Sequence, residues 1–298
     1  MENFDIVIVG AGSAGCIVAN QIINSTNYKV LLIEAGPSDN NLTIQVPLGY
    51  GMTFYHKKMN WNFYSEIQKN LHNREIYYPR GKVLGGSGSI NAMIYARGLR
   101  SDFENWNLSK NWSWENIKTT YDQIEFAVNN KTKRLPSNKI PVNDISKQHH
   151  PILKNFFDAS NDFNFTFNKQ LKSSIENQVG NYNVNIFKGF RTSSSKVFLK
   201  PIKSHPNLTI FTKTEVLKLN YKNKKIVSLD IKHKNKIISV KPKIGTILSS
   251  GSIMTPYLLL KSGIGNASDL KEMNLPVNLH SSHVGKNFQD HLGLDYLY

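Results

Sequence analysis

The 298-residue chain has a formal net charge of +16, with 40% hydrophobic and 11% aromatic residues, which is ample material for a globular core and excludes a disordered chain. No stretch approaches the ~18 uninterrupted apolar residues of a membrane span, and the opening MENFDIVIVG lacks the basic region and apolar core of a signal peptide, so a cytoplasmic protein without a membrane partner is expected. A single cysteine, Cys16, excludes an internal disulfide and a multi-cysteine zinc site, and no metal site is assigned.

The first segment, DIVIVGAGSAGCIVANQIINSTNYKVLLIEAG, reads as strand, glycine turn, helix and strand. A continuous apolar run from Asp5 to Val9 suits a parallel sheet covered on both faces. The helix carries Ile17, Val18, Gln21 and Ile22 at helical spacing and ends near NSTN; Cys16 lies in its apolar start and is expected to be a buried packing residue. The second strand, Lys29 to Glu34, ends on an acid. A β-α-β unit of this length predicts a doubly wound α/β fold. Within it, Gly10 permits the tight turn, Gly12 lets the backbone approach a pyrophosphate, and Gly15 lets the helix pack closely on the sheet. The helix N-terminus offers N–H groups to phosphates. Glu34 is placed to accept hydrogen bonds from a ribose hydroxyl, and its charge disfavours a cofactor with a 2′-phosphate. With Asp5, Ala11, Ser13, Ala14 and Ala35 beside them, these residues form the candidate dinucleotide-binding set.

Residues 35–80 read as irregular, with the aromatic stretch NWNFYSE. The glycine-rich stretch PRGKVLGGSGSINAMIYARG, residues 79–98, makes a loop whose backbone can lie against a flat ligand, so a second phosphate or a ring system is expected there. A helix is expected from Ile90 and another over Trp114 to Val128, followed by weak periodicity over 130–190. Ten lysines fall between Lys213 and Lys243, where Lys and Asn alternate with Val, Leu and Ile. That is the period-two pattern of half-buried antiparallel strands with a solvated outer face. No nucleic-acid-binding motif accompanies it, and AT-rich coding produces the same Lys, Asn and Ile bias, so a nucleic-acid partner is not expected. A buried strand GTILSS then leads into GSIMTPYLLLKSGIG, read as a packing helix that begins near Thr255 and stops at a glycine.

Taken together, these blocks resemble the glucose-methanol-choline (GMC) family of FAD-dependent oxidoreductases over nearly the whole chain. The dinucleotide motif, NWNFYSE, PRGKVLGGSGSIN, GFRTSSSKVFLKP, PNLTIFTKTEV, SSGSIMTPYLLLKSGIG and VGKNFQDH look like family blocks in family order. The resemblance implies a Rossmann-like FAD-binding domain of the FAD/NAD(P)-binding fold, incomplete, built from residues 1–130 and 189–290. Residues 131–188 would be an insertion from a substrate domain, and 291–298 the first strand of a missing C-terminal substrate domain. By similarity, Gly10, Gly12, Gly15 and Glu34 would hold the ADP half of FAD; Lys82, Val83, Gly86 and Asn91 would lie along the pyrophosphate and flavin; Val216 would contact the adenine side. Where the family loop often reads GGSSS this chain has Gly88. Some relatives tether the flavin through a histidine just before the loop asparagine; here that residue is Ile90, so FAD is expected to bind without a covalent link, weakly or not at all.

Oxidation of an alcohol needs a base for the hydroxyl proton. In the family that base is a histidine of the C-terminal half, and none of the nine histidines here matches it, so no catalytic residue is assigned. The resulting expectation is a truncated, catalytically inactive GMC-type protein that retains FAD-binding elements. Its rivals are half of a split alcohol oxidase completed by a second chain and a non-enzymatic basic binding protein.

Overall fold

A computed structural model of the chain describes residues 3–168, 177–223, 225–291 and 293. LGLDYLY, read above as opening a further strand, lies outside the described residues apart from Gly293. The chain divides into two compact units, both discontinuous in sequence. Met1–Pro37, Lys82–Leu84 and Ile202–Tyr298 form the first; Ser38–Gly81 and Gly85–Pro201 form the second.

In the first unit, β1 (Ile6–Val9), α1 (Ser13–Ser25) and β2 (Val30–Ile33) are the β-α-β unit read from the sequence. With β3 (Leu208–Phe211) and β7 (Gly245–Leu248) the strands form a parallel sheet in the order β3-β2-β1-β7, with Ile6 level with Val30 and Gly245. The intervening β4 (Glu215–Lys222), β5 (Lys225–His233) and β6 (Lys236–Val240) form a three-stranded antiparallel sheet. Strand alternation sends Val7, Val9, Leu31 and Ile33 into one core with Leu219, Leu229, Ile231 and Val240. Burying each such side chain contributes ~1.5–3 kcal/mol to the stability of the unit. Ile8, Val30 and Leu32 are buried on the opposite face, and α1 packs beside β1 and β2. Lys218, Lys222, Lys225, Lys232 and Lys236 are all exposed, as the period-two pattern requires.

Two local expectations change. The buried stripe of α1 is Gly15, Cys16, Ala19, Asn20 and Ile23, whereas Ile17, Val18 and Ile22 are half-buried and Gln21 is exposed. The small residues Gly15, Cys16 and Ala19 in this stripe let the helix axis approach the strands, which the bulkier stripe would hold off. Helix α2 runs over Gly251–Lys261, so it begins four residues before Thr255. Its end is tied to β4 by Ser262, whose hydroxyl accepts the Leu219 N–H at 2.9 Å and donates to the Leu258 carbonyl at 2.6 Å.

The second unit contains short helices over Leu42–Gln45 and Tyr50–Phe54, where the sequence read as irregular. It also contains a four-stranded sheet in the order Ile94–Tyr95, Asn183–Val184, Ile140–Asp144, Glu125–Ala127. The helix over Trp114–Ile124 stops short of Val128 because Glu125 leaves it to pair beside Ile140, its carboxylate taken by Arg97 at 2.8 Å and by the Tyr95 hydroxyl. No helix starts at Ile90. A 3-10 turn over Gly86–Ser89 is followed by Met93 at φ +60° and then by extended chain, and a non-glycine residue at positive φ ends any helical run.

Candidate cofactor-binding elements

The first element is the turn that leaves β1. Gly10 has φ +97°, and its N–H donates to the Ile33 carbonyl at 2.9 Å, which ties the turn to the end of β2. A Cβ on Gly15 would lie 1.9 Å from the Gly10 carbonyl oxygen, so only glycine lets the first turn of α1 sit this close to the strand end. Helix α1 is capped by Gly12, which brings no side chain to its N-terminal N–H groups, and Ser13 and Ala14 are exposed. The helix start therefore presents donors and partial positive charge toward an anion. Cys16 is fully buried with its Sγ 3.3 Å from the Ala11 carbonyl, in the packing role expected of it.

Sequence reasoning missed how this turn is held from the other side. The Ser249 hydroxyl donates to the carbonyls of Val9 (3.0 Å) and Gly10 (2.7 Å), and the Ser250 hydroxyl to Val9 (3.1 Å). These serines follow β7, the neighbour of β1, so the end of the strand read as GTILSS clamps the glycine turn. The only sequence signal was a pair of small hydroxyl residues at a strand end.

Glu34 follows β2 and is 6% exposed. Its carboxylate accepts the Ala11 N–H at 3.1 Å and the Gly36 N–H at 2.9 Å. Desolvation pushes its pKa up to about 7, against the opposing pull of those backbone donors and of the Lys82 charge. A carboxylate has about four acceptor positions, and two are used here. Acceptor capacity is left over, and a ribose hydroxyl supplies a donor for it. Ala35 adds a backbone N–H toward the same carboxylate.

Lys82, Val83 and Leu84 belong to this first unit, where the Leu84 N–H donates to the Pro37 carbonyl at 3.1 Å and Val83 is fully buried. A Cβ on Gly36 would lie 1.7 Å from the Lys82 carbonyl oxygen, so the glycine after Glu34 permits this crossing of chains; the sequence reading did not single it out. Thr214 donates its N–H to the Glu34 carbonyl at 2.9 Å and bonds the His233 Nδ1 through its hydroxyl, while the His233 ring stacks on Phe211 at 4.1 Å. Val216, two residues on, is half-buried with its side chain against the core. Asp5 stands apart from the set. It lies at the opposite end of β1, where its carboxylate accepts the Lys29 N–H at 2.8 Å and faces Lys243 at 3.8 Å, so the structure does not bring it to the glycine turn.

The second element is the glycine turn of the second unit. Gly86 has φ +57°, and Asn91 accepts the Met93 N–H on its Oδ1 at 3.1 Å. The same Oδ1 accepts from Arg191 at 2.7 Å, a residue that carried no sequence signal of its own. Among the described residues no cluster of acids, histidines and cysteine could hold a metal, and no helix is long and apolar enough to cross a membrane. His56, His150 and His205 each accept the backbone N–H two residues on at Nδ1, as turn-forming residues do, and His280 accepts the Ala267 N–H.

A family model described as GMC oxidoreductase matches residues 4–293. The chain is 36% identical to an alcohol dehydrogenase [acceptor] of Pseudomonas putida, covering 98% of this chain and 54% of that protein. It is 30% identical to a mitochondrial choline dehydrogenase of Mus musculus, covering 98% and 50%. Among solved structures, pyridoxine 4-oxidase from Mesorbium loti superimposes with a TM-score of 0.85 at 26% identity, over 93% of this chain and 55% of that one. A formate oxidase gives 0.85 at 24% identity, which speaks to the fold alone. The chain spans about half the length of the curated relatives it matches.

Proposed function

The chain belongs to the GMC oxidoreductase family, and from that premise we propose that it carries the FAD-binding part of an enzyme that takes hydride from an alcohol carbon. The observation that carries the proposal is Glu34, a buried carboxylate at the end of β2, bonded to the Ala11 N–H of the glycine turn and to the Gly36 N–H beyond β2, with acceptor capacity left for a ribose hydroxyl. The donor set fits the ADP half of FAD. Glu34 accepts the ribose hydroxyls, Gly10, Ala11 and Gly12 give the pyrophosphate close access to backbone, and the N–H groups at Ser13, Ala14 and Gly15 favour its charge. Lys82 and Val83 flank the Glu34 side, and Val216 serves the adenine side through backbone, its side chain being committed to the core. Gly86 and Asn91 enter the proposal on the family resemblance alone.

Bound FAD supplies the hydride acceptor. The alcohol proton needs a base, and Nδ1 is taken by a local turn in His56, His150 and His205 and by the Ala267 N–H in His280. We therefore assign cofactor binding to these residues and no proton transfer; these 298 residues on their own are expected not to turn over alcohols. A second reading, favoured by the half-length coverage of the relatives, is that another chain supplies the base.

Titration of the purified protein with FAD, followed by flavin fluorescence, tests the proposal. Binding is expected, with the Glu34→Ala protein weaker by tenfold or more; equal affinity of the two proteins would contradict it. Sustained reduction of a dye acceptor with alcohol and FAD would overturn the assignment of no proton transfer.

A further inference from the structure

Arg191 lies in a two-residue strand, Phe190–Arg191, and is 2% exposed. Its Nε donates to the Ile44 carbonyl at 2.9 Å, and its Nη1 donates to Asn91 Oδ1 at 2.7 Å and to the Gly88 carbonyl at 3.3 Å. Its Nη2 is buried with no hydrogen-bond partner among the described residues. A guanidinium taken out of water is normally paired with a carboxylate, because an uncompensated buried charge is costly. Here, among the described residues, its acceptors are all neutral. Burial pushes its pKa down to about 10, which still leaves it protonated at neutral pH.

The partner that matters is Asn91, which is itself exposed. Its Oδ1 receives two donors, Arg191 Nη1 and the Met93 N–H, and its backbone N–H goes to the Ser87 carbonyl at 2.9 Å. Turning the carboxamide over would set its NH2 against both donors, so one orientation is enforced. In that orientation Nδ2 has no protein partner among the described residues and faces outward as a donor.

We propose that Arg191 is a positioning residue: it locks the Asn91 carboxamide so that only its NH2 meets the ligand, and it backs the Gly86–Asn91 turn with an unneutralised positive charge. The turn then selects an electron-rich oxygen of the flavin nucleotide, either a phosphate oxygen or a ring carbonyl oxygen. This rests on the reading that the chain binds FAD.

The test is Asn91→Asp, which keeps an oxygen acceptor for Arg191 and Met93 but removes the outward donors. The ligand-free protein is expected to melt at or above the wild-type temperature, since a carboxylate now faces the buried guanidinium, while FAD affinity falls tenfold or more. Parallel titration with ADP separates the two oxygens: a loss for both ligands points to phosphate, a loss for FAD alone to the ring carbonyl. Unchanged affinity for both overturns the inference while leaving FAD binding intact; a wild-type protein that binds no FAD overturns both. Arg191→Lys, which cannot span the three acceptors, is expected to lower FAD affinity in the Asn91 protein and to have no further effect in the Asn91→Ala protein. Additive losses would mean that Arg191 does not act through Asn91. Should the lysine variant fail to fold, the Asn91→Asp measurement decides alone.

Discussion

Glu34 is the residue on which the proposed nucleotide site of the first unit turns, and its environment makes a pH signature. Its pKa is about 7 in the folded protein and near 4.5 when exposed, so between those values the folded state holds a proton that the unfolded state has lost. Stability is therefore fully present below pH 4.5 and declines as pH rises through 7, by about 3 kcal/mol for a shift of this size. Denaturant titrations of ligand-free protein at pH 4.5 and 8 should show that decline, and Glu34→Gln should abolish it; equal slopes in the two proteins would contradict the burial argument. Glu34, Gly10 and Gly15 were legible in the sequence because each does one thing that few residue types can do. Gly36, Ser249 and Arg191 were not, because their roles arise from chain crossings that bring residues 36 and 82, 10 and 249, or 91 and 191 together.

At the level of elements, the turn after β1 depends on strands far away in sequence. The clamp from Ser249 and Ser250 joins residues about 240 positions apart, and it reaches the turn because β7 is the parallel neighbour of β1. Replacing both serines by alanine removes two hydroxyl donors to the Val9 and Gly10 carbonyls, a loss of about 2 kcal/mol. Calorimetry should show a lower melting temperature, and FAD titration a matching loss of affinity; a lower melting temperature with unchanged affinity would mean that the clamp does not shape the turn. Period-two patterning made β4, β5 and β6 readable from sequence, since each shows lysine to water and aliphatics to the core. The helix expected from Ile90 failed because Asn91 spends its side chain on the Met93 N–H, a local bond that no apolar spacing reveals.

For the whole molecule, the order of family blocks was readable over nearly all of the chain, and the family match spans residues 4–293. The two compact units are both discontinuous in sequence, and Lys82–Leu84 belongs to the first as a three-residue strap. Such a strap is invisible to composition, since it is defined only by what it lies against. The +16 charge has its largest local source in the exposed lysines of one antiparallel sheet. The central claim is that the first unit is a site for ADP with a carboxylate on its ribose. Isothermal titration with ADP and with ADP carrying an additional phosphate on its 2′-hydroxyl tests it most directly. ADP should bind, and the 2′-phosphorylated ligand should bind at least tenfold more weakly, because its phosphate meets the Glu34 carboxylate. Equal affinities, or no binding of ADP, would contradict it.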